Sequence, residues 1–596
     1  MPNRLEPINL VDFTGGLNLR RNQFQLAPNE SPEMINIAID PLGGIYTRWG
    51  WERWNGPDIV PEGSPWDPRR AWVHTLADGT TLVYIAANNT VFWSQAPGGS
   101  GNVFTDLAIA VHAAPHMADW ATFGDDLYIA GGKLQPLRRR TGIAAPVNLT
   151  FAGAGSWNDD YLNPLHMVGP RAEVIEAHSG YLFAANINED GALLPNRLRW
   201  SHPTSQDDWA QLDFIDIEIG GSKITGLMSY EDHLLIFKND SVWALYGYDQ
   251  DSWQLVQKSS TVGAMSPQSI SRNEQAVFFY SASDKGGIYA YGGERPVEIA
   301  EQLRHALERL LHPELIWVGW LGRRLWVTLP WNYSGPTEDN AASFVYDPTI
   351  GERGAWVYYT SEAGSIGPVV AGSGVDSMLR PLGVLRAADT RAVVRLDALD
   401  DATDQIWEYS VLGYVADTEQ RSVTEDGYLV TGNDEEIIMG GAIGYEPFES
   451  VYRTGWITAD WPTRKKSFRR PDLVCRYTGM EHQLQVRSYR DYEELNAKRQ
   501  HNVLVPAGSI ASSPPSNVPG QVRAVWNSFN WNDGTLWNQE GETPTVIAPQ
   551  KQGASIRRGS SFGLCRALQL RIKGATPFAK WGVDAVIVKV VMRRFR

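Results

Sequence analysis

The residues of this chain that could do chemistry form few patterns with the spacing that a reaction or a metal ion needs. His112 and His116 have the spacing of a helical zinc pair, but Pro115 lies between them and would interrupt the helix. The segment that starts at Asn186 begins like a calcium-binding loop, yet its twelfth position is Arg197, where calcium requires a glutamate. We therefore expect no metal site and no cofactor.

Patterns for covalent or acid–base catalysis are equally sparse. The chain has no G-x-S-x-G motif and no zinc-protease motif, and the glycine-rich stretches 98–101 and 153–155 do not join a strand to a helix. The acid pairs Asp159-Asp160 and Asp207-Asp208 could serve a glycosidase, or they could be solvated acids in turns. The sequence favours a protein that is not an enzyme.

Basic clusters stand out because the chain as a whole is acidic, with 53 Lys and Arg against 68 Asp and Glu and a net charge of −15. Five of these cations are grouped in the last third of the chain: Arg464, Lys465, Lys466, Arg469 and Arg470. Three more arginines form a basic tail at 593–596. They fit a solvated face, a patch that meets acidic surfaces of neighbouring subunits, or a DNA contact. The acidic balance argues against wrapping nucleic acid, but it permits DNA to slide past a neutral or acidic wall.

Tryptophan is abundant, with 24 residues, and the stretch 525–538 repeats Trp-Asn three times, at Trp526, Trp531 and Trp537. Such a stretch could be a packed hairpin, a subunit contact or a surface on which sugars stack. We take these three tryptophans and the five clustered cations as candidate inter-subunit residues.

Short apolar runs bounded by Gly, Asp and Asn dominate the chain and predict strands. Six of these runs recur at intervals of roughly 43–55 residues, as four-stranded propeller blades would: 81–87, 126–132, 181–187, 233–239, 276–282 and 324–330. One helix is predicted over 296–316, with Ile299, Leu303, Ala306, Leu307 and Leu310 on one face. The predicted fold class is all-β: a degenerate β-propeller with an additional C-terminal β-sandwich-like domain and little helix.

A shift to acidic composition near residue 400 predicts a domain boundary. We expect an N-terminal arm that leads into the propeller (1–69), the β-propeller (70–400), and a C-terminal β-rich domain that closes or decorates it (401–596). The arm is poor in apolar residues, so residues 3–40 should dock on a neighbouring chain or on another domain. Their deletion should leave a soluble, folded propeller that no longer assembles.

Neither the two cysteines nor the N-terminus indicates a secreted or membrane protein. Cys475 and Cys565 are too few for a disulfide scaffold and read as buried free thiols. The N-terminus has no signal-peptide pattern, and no apolar run is long enough for a membrane span.

Two segments resemble a known family. The first is 12–54, with Gly15-Gly16, an extended arm, Glu30-Ser31-Pro32 and Arg48-Trp49-Gly50. The second is 197–360, which starts RLRWSHPTSQDDW and continues through the blade fragments of the predicted propeller. Their order is similar to that in the nozzle and DNA-stabilisation proteins of short-tailed bacteriophages, and it also resembles minor tail proteins of long-tailed phages.

The resemblance implies a structural subunit of a phage tail nozzle or hub, located in the virion and made in the host cytoplasm. Its expected partners are further copies of itself, with a hexamer favoured, neighbouring tail or adaptor proteins, and tail fibres. DNA would pass through the ring without specific binding, and the basic clusters would face outward. The alternative is a propeller-based minor tail protein that binds or cleaves glycans on the host surface.

Overall fold

The computed structural model describes residues 5–399 and 403–592 with gaps, the longest being 109–117, 150–170, 331–340, 369–381, 409–421 and 506–554, and the others spanning at most six residues. Strands account for nearly all regular structure in this part of the chain. The helical elements described in full are one α-helical turn, Arg304–Leu307, and three 3-10 turns, Pro267–Ser269, Glu301–Leu303 and Pro313–Leu315.

Six four-stranded antiparallel sheets follow one another along 68–359 and form the blades of a β-propeller. Blade 1 comprises Pro68–Thr75, Thr81–Ala87, Thr90–Ala96 and Thr105–Asp106, and blade 2 comprises Asp119–Phe123, Asp126–Ala130, Arg138–Thr141 and Val147–Asn148. Blade 3 comprises Arg171–His178, Tyr181–Glu189, Ala192–Trp200 and Phe214–Asp216, and blade 4 comprises Ile224–Tyr230, His233–Lys238, Val242–Tyr246 and Gln254–Ser259. Blade 5 comprises Ile270–Arg272, Val277–Ser281, Gly287–Tyr291 and Val297–Glu298, and blade 6 comprises Trp317–Leu321, Arg324–Pro330, Ala341–Asp347 and Ala355–Tyr359. The first strand of each blade contacts the first strand of the next along most of this series, so the first strands form the inner ring.

Each of the six apolar runs found in the sequence contributes the second strand of its blade, which confirms the propeller prediction. The strands Thr81–Ala87, His233–Lys238 and Val277–Ser281 are buried along their whole length. A strand covered on both faces by neighbouring blades has no solvent side, so its sequence is apolar without alternation. The turns before the second strands of blades 1 and 2 need positive φ, which Gly79 (85°) and Gly124 (59°) adopt easily.

A further four-stranded sheet, here called the closing sheet, fills the ring between blades 6 and 1. It comprises Ile366–Pro368, Leu382–Leu385, Val393–Leu399 and, from the N-terminal region, Gly50–Arg53. Its first strand contacts the first strands of blade 6 and blade 1. The sequence did not predict this sheet because its fourth strand, Gly50–Arg53, comes from a part of the chain far from the other three.

The C-terminal strands form two sheets that also incorporate N-terminal strands. The nine-stranded sheet continues blade 6 through Glu33–Ile35, Val451–Arg453, Leu568–Gly574, His482–Arg490 and Arg499–Val505. The seven-stranded sheet comprises Ser555–Arg558, Lys466–Cys475, Gly582–Met592, Ile45–Thr47, Ile37–Ile39, Leu5–Leu10 and Gly563–Cys565. The remaining strands are Gly16–Leu17 with Glu30–Ser31, Thr403–Glu408 with Ile443–Pro447, and the trio Ser422–Val423, Leu429–Val430 and Glu436–Ile437.

These two large sheets share one apolar core, as expected of the predicted sandwich. Phe468 and Val588 of the seven-stranded sheet belong to the same buried cluster as Leu484 and Ile572 of the nine-stranded sheet. Apolar residues of blade 6 such as Trp326 belong to this cluster too. The propeller and the sandwich are therefore continuous in both hydrogen bonding and packing.

The N-terminal arm docks on other parts of its own chain, which is one of the two alternatives that the sequence predicts. Phe13, Leu17, Met34 and Ile37 are buried in the core shared by blade 6 and the sandwich. The arm therefore contributes buried apolar side chains to this core, whereas Val11 (55% exposed) and Phe24 (52% exposed) stay at the surface.

The long helix predicted over 296–316 is also wrong. The segment starts as the last strand of blade 5, Val297–Glu298, and contains only short helical turns. Leu303, Ala306 and Leu307 are nevertheless buried, since the segment covers the core between blades 5 and 6. Packing decided the backbone here, whereas the apolar spacing predicted only which side chains are buried. No helix in the part of the chain that the structure describes could span a membrane.

Candidate functional site: the central cavity of the propeller

The inner strands of the blades surround a cavity of about 940 Å3. Each blade contributes at least one side chain to its wall, among them Arg70, Asp119, Glu176, Tyr230, Arg272 and Trp320 from blades 1 to 6 in that order. A cavity of this size, with polar groups converging from several strands, is the usual form of a small-molecule site.

One wall of the cavity is held by a buried ion pair between two blades. Arg70 Nη1 of blade 1 lies 2.6 Å from Asp119 Oδ1 of blade 2, and both side chains are nearly inaccessible to solvent. Asp119 also accepts hydrogen bonds from the backbone N–H of Trp120 (2.9 Å) and of Ile175 in blade 3 (3.0 Å). Burial raises the pKa of Asp119, whereas Arg70 and these two N–H groups oppose the rise. The pair therefore joins three blades at the cavity wall.

The face of Trp120 next to this pair is already occupied. The Arg70 guanidinium lies 3.8 Å from the centre of the Trp120 ring, and the ring of Trp72 stacks on Trp120 at 4.5 Å. Trp120 is thus part of the interface between blades 1 and 2, and only about 7% of it is exposed.

Glu176 in blade 3 is the most unusual ionisable group of the cavity. Burial raises its pKa to about 8, and nearby Asp119 adds to the rise, while Arg272, Arg70 and the N–H of Ser229 oppose it. Among the described residues, no cation reaches salt-bridge distance of this half-buried carboxylate. A carboxyl group with such a pKa is largely protonated at neutral pH, so it can donate as well as accept a hydrogen bond.

Arg272 faces Glu176 from blade 5 but is held by another partner. Its guanidinium donates to the backbone oxygen of Ser229, and no carboxylate of the described residues forms an ion pair with it. The side chain is exposed to the cavity, as are Glu231, Glu274 and Arg323 at the cavity edge. Unused guanidinium donors therefore point to recognition of an anionic group rather than to a structural ion pair.

A smaller pocket of about 260 Å3 beside the cavity contains a serine–histidine contact. Ser229 Oγ lies 2.8 Å from His178 Nδ1. Burial, with contributions from His233 and Arg272, lowers the pKa of His178 to about 4, so its imidazole is a weak base. His178 Nε2 has no hydrogen-bond partner in the described structure, and so no acid orients the ring. This contact lacks the features of a nucleophile activated by a base.

Of the predicted inter-subunit residues, the structure describes the side chains of Lys465, Lys466 and Arg469. Lys465 and Arg469 are exposed on the sandwich. Lys466 is fully buried and donates to the backbone oxygens of Thr458 and, at 3.0 Å, Arg566. Its assignment to a surface patch is wrong, because it satisfies carbonyl groups inside the sandwich.

The other candidate inter-subunit residues stay predictions. Arg464, Trp526, Trp531, Trp537 and the basic tail 593–596 lie outside the described residues, as does the side chain of Arg470. The calcium-like segment that starts at Asn186 is another sequence pattern that the structure describes in part. Arg197 pairs with Asp216 and Glu189, so the calcium-like segment is a hairpin closed by ion pairs.

The two members of the acid pair Asp207-Asp208 differ, because the first forms an ion pair and the second is exposed. Asp207 pairs with Arg139 of blade 2, and the backbone oxygen of Asp208 accepts from the N–H of His202 at 2.7 Å. His112, His116 and the pair Asp159-Asp160 lie outside the described residues. No group of three or more His, Cys, Asp or Glu side chains suited to a metal ion occurs in the described part of the chain.

Sequence reasoning did not single out the residues of the central cavity. Arg70, Asp119 and Glu176 each lie on the strand that directly precedes one of the apolar second strands. Ionisable residues recurring in the first strand of successive repeats were the signal that could have found them, since the first strands line the axis of a propeller.

Comparisons with known proteins add only distant likenesses. No protein-family model and no curated protein matches the chain. One similar solved structure is a catalytically inactive virginiamycin B lyase from Staphylococcus aureus with quinupristin, which shares 12% identity at a TM-score of 0.36 over 57% of this chain and 98% of that chain. Another is the Pan2 WD40 domain of Neurospora crassa, with 11% identity and a TM-score of 0.34 over 59% of this chain and 94% of that one. An exo-beta-1,3-galactanase from Phanerochaete chrysosporium shares 10% identity at a TM-score of 0.25 over 88% of this chain and 100% of its own. At these scores the likenesses carry no argument about function, and the propeller is established by its own sheet topology.

Proposed function

We propose that this chain is a structural subunit of a bacteriophage tail, a nozzle or hub protein that forms a homo-oligomeric ring around the DNA path. The observation that carries the proposal is the continuous nine-stranded sheet, which joins blade 6 of the propeller to the C-terminal sandwich. A body whose two parts share one sheet and one core holds these parts in a fixed relative position. Such a body suits a component that must hold its shape while neighbours bind to it.

The sequence resemblance of 12–54 and 197–360 to phage tail proteins supports the same proposal. In the structure, the first segment contributes strands to the closing sheet, the nine-stranded sheet and the seven-stranded sheet. A net charge of −15 is compatible with DNA that slides past the subunit, because dense Lys and Arg contacts would hold the phosphates. The work of the protein is binding, without turnover.

The partners of the proposed subunit are copies of itself, with a hexamer favoured, neighbouring tail or adaptor proteins, and tail fibres. Lys465 and Arg469 are exposed and could meet acidic surfaces on such neighbours. We keep Arg464, Arg470, Trp526, Trp531 and Trp537 as proposed contacts. The proposed location is the virion tail, after synthesis in the host cytoplasm.

Particles from a lysate of the bacterium that carries the gene provide the test. We expect an epitope-tagged chain to co-purify with tailed particles and to be labelled at the tail by electron microscopy. An abundant cytosolic protein of the same host, tagged in the same way, is the control for trapping. Absence of the tagged chain from particles would overturn the proposal.

A second candidate function is glycan recognition by the propeller, as in a minor tail protein that meets the host surface. The observation that favours it is the central cavity, which is lined by half-buried Trp320 and Glu176 and by exposed Arg272. A glycan-binding screen of the purified chain tests it, with loss of binding in cavity variants as the expected result.

A further inference from the structure

We infer that the central cavity binds an acidic sugar, a hydroxylated ring whose carboxylate is held by Arg272 and whose hydroxyl groups meet Glu176. This inference specifies the ligand of the second candidate function. It is independent of the tail-subunit proposal, because a structural subunit can carry such a site or lack it.

The carboxylate is assigned to Arg272 because this guanidinium lies on an inner strand and faces Glu176, whereas exposed Arg323 lies in the turn that follows the inner strand of blade 6. Arg272 is exposed to the cavity and gives one hydrogen bond, to the backbone oxygen of Ser229. Arg70, by contrast, is buried and paired with Asp119 at 2.6 Å, so it is not available to a ligand. An arginine with free N–H groups in a recessed site binds carboxylates in a bidentate manner.

The hydroxyl groups are assigned to Glu176 because its carboxyl group faces the same space without an ion-pair partner in the described residues. Burial raises the pKa of Glu176 to about 8, so the carboxyl group is mostly protonated and neutral near pH 7. A neutral carboxyl group can donate and accept at once, as paired sugar hydroxyls require. It also does not repel the carboxylate that Arg272 attracts.

The sugar ring is assigned to the wall formed by Trp320. This half-buried side chain of blade 6 lines the cavity, and its ring stacks in parallel on Phe278, with 5.3 Å between ring centres and 6° between planes. A ring supported on one face in this way is a rigid apolar surface on which the C–H face of a sugar can lie. The volume of about 940 Å3 is large enough for a small saccharide.

The charges that surround Glu176 make the site sensitive to pH. Six charged groups line the cavity with it: Arg70, Asp119, Glu231, Arg272, Glu274 and Arg323. Ionisation of Glu176 would place a negative charge opposite the carboxylate of the ligand. Binding should therefore weaken as the pH rises through about 8, the pKa of this group.

The test uses the full chain and isothermal titration calorimetry with three probes: glucuronic acid, glucose and inorganic phosphate. We expect binding of glucuronic acid that Arg272→Gln weakens about tenfold, since a hydrogen-bonded charge pair is lost. Arg487→Gln is the matched control, because Arg487 lies on the nine-stranded sheet, where its side chain contacts Gln500. It should bind glucuronic acid like the unaltered chain.

The pH profile separates this site from a general surface effect. The unaltered chain should lose affinity between pH 7 and 9, whereas Glu176→Gln should keep it, because the variant removes one ionisation and leaves the other six charges in place. Equal binding of glucose, or of phosphate, would overturn the assignment of an acidic sugar. So would identical pH profiles for the two proteins, or an Arg272→Gln variant that is folded and binds normally. None of these outcomes bears on whether the chain is found in phage tails.

Discussion

The propeller and the sandwich are both built from antiparallel strands, but they recruit those strands in opposite ways. Each of the six blades takes four strands that follow one another in sequence. The seven-stranded sheet instead pairs Leu5–Leu10 with Gly582–Met592, from opposite ends of the chain. The nine-stranded sheet places Glu33–Ile35 between blade 6 and Val451–Arg453. Blades can therefore form from local contacts, while the sandwich requires the whole chain.

This difference predicts that the N-terminal arm is essential to the fold. Deletion of residues 5–39 removes strands from both large sheets and the buried Phe13, Leu17, Met34 and Ile37. We expect the deleted protein to be insoluble, or to lose the cooperative thermal transition of the full chain. Expression trials and calorimetry measure this. A soluble variant with an unchanged melting temperature would show that the arm does not stabilise the sandwich.

A single side chain of the arm should have the next largest effect. Phe13 is fully buried and packs edge-on against Tyr452 at 5.2 Å between ring centres. Phe13→Ala should lower the free energy of unfolding by about 4 kcal/mol, because it leaves a cavity in the shared core. Leu42→Ala is the control, since Leu42 is 90% exposed and its truncation should change stability by less than about 0.5 kcal/mol. Urea denaturation that gave the same change for both would contradict the packing of the arm.

Within the propeller, the corresponding weak point is the ion pair between blades. Asp119→Asn removes the charge that balances buried Arg70 and should lower the free energy of unfolding by about 3 kcal/mol. Glu301→Gln breaks an ion pair with Arg20 whose side chains are 44% and 57% exposed, and it should change the free energy by less than about 1 kcal/mol. If both variants proved equally stable, Asp119 would not hold blades 1 to 3 together.

The smallest effect on stability is expected from substitution of Glu176, and this substitution should stabilise the protein instead of destabilising it. Burial raises the pKa of this group to about 8, above its value in the unfolded chain. The folded chain thus binds the proton more tightly, and stability is lost as the pH rises from about 4.5 to about 8. Glu176→Gln lacks this loss and should be more stable than the unaltered chain at pH 9, with no difference at pH 4. The full shift corresponds to about 5 kcal/mol, and exposure of the side chain to the cavity reduces the expected difference to about 2 kcal/mol. Melting temperatures over this pH range measure the effect, and equal curves would mean that water in the cavity keeps Glu176 ionised.

The same contrast explains what the sequence could predict. The six second strands were found because burial on both faces leaves an unbroken apolar run, as in His233–Lys238. The closing sheet was not predicted because it pairs Val394 with Arg53, and neither local sequence indicates which distant strand it will pair with. Lys466 was placed on a surface because its sequence neighbours are cations. The carbonyl of Arg566 that it meets comes from a strand pairing that only the fold creates.

The central cavity escaped prediction for a related reason. Glu176 is an ordinary glutamate in sequence, and its environment arises from Asp119 and Arg272, which lie on other blades. Convergence of inner strands on one axis is a property of the closed ring. The sequence could therefore predict that a propeller exists, but not which of its charges meet.

Counting the copies of the chain in isolated tails is the sharpest test of the proposal that it is a ring-forming structural subunit. Mass measurement of tail complexes released gently from purified particles would give that number. The account predicts several copies per tail, with six favoured, and a ring in images of the same complexes. A single copy per particle, or a chain that stays monomeric and apart from particles, would contradict it.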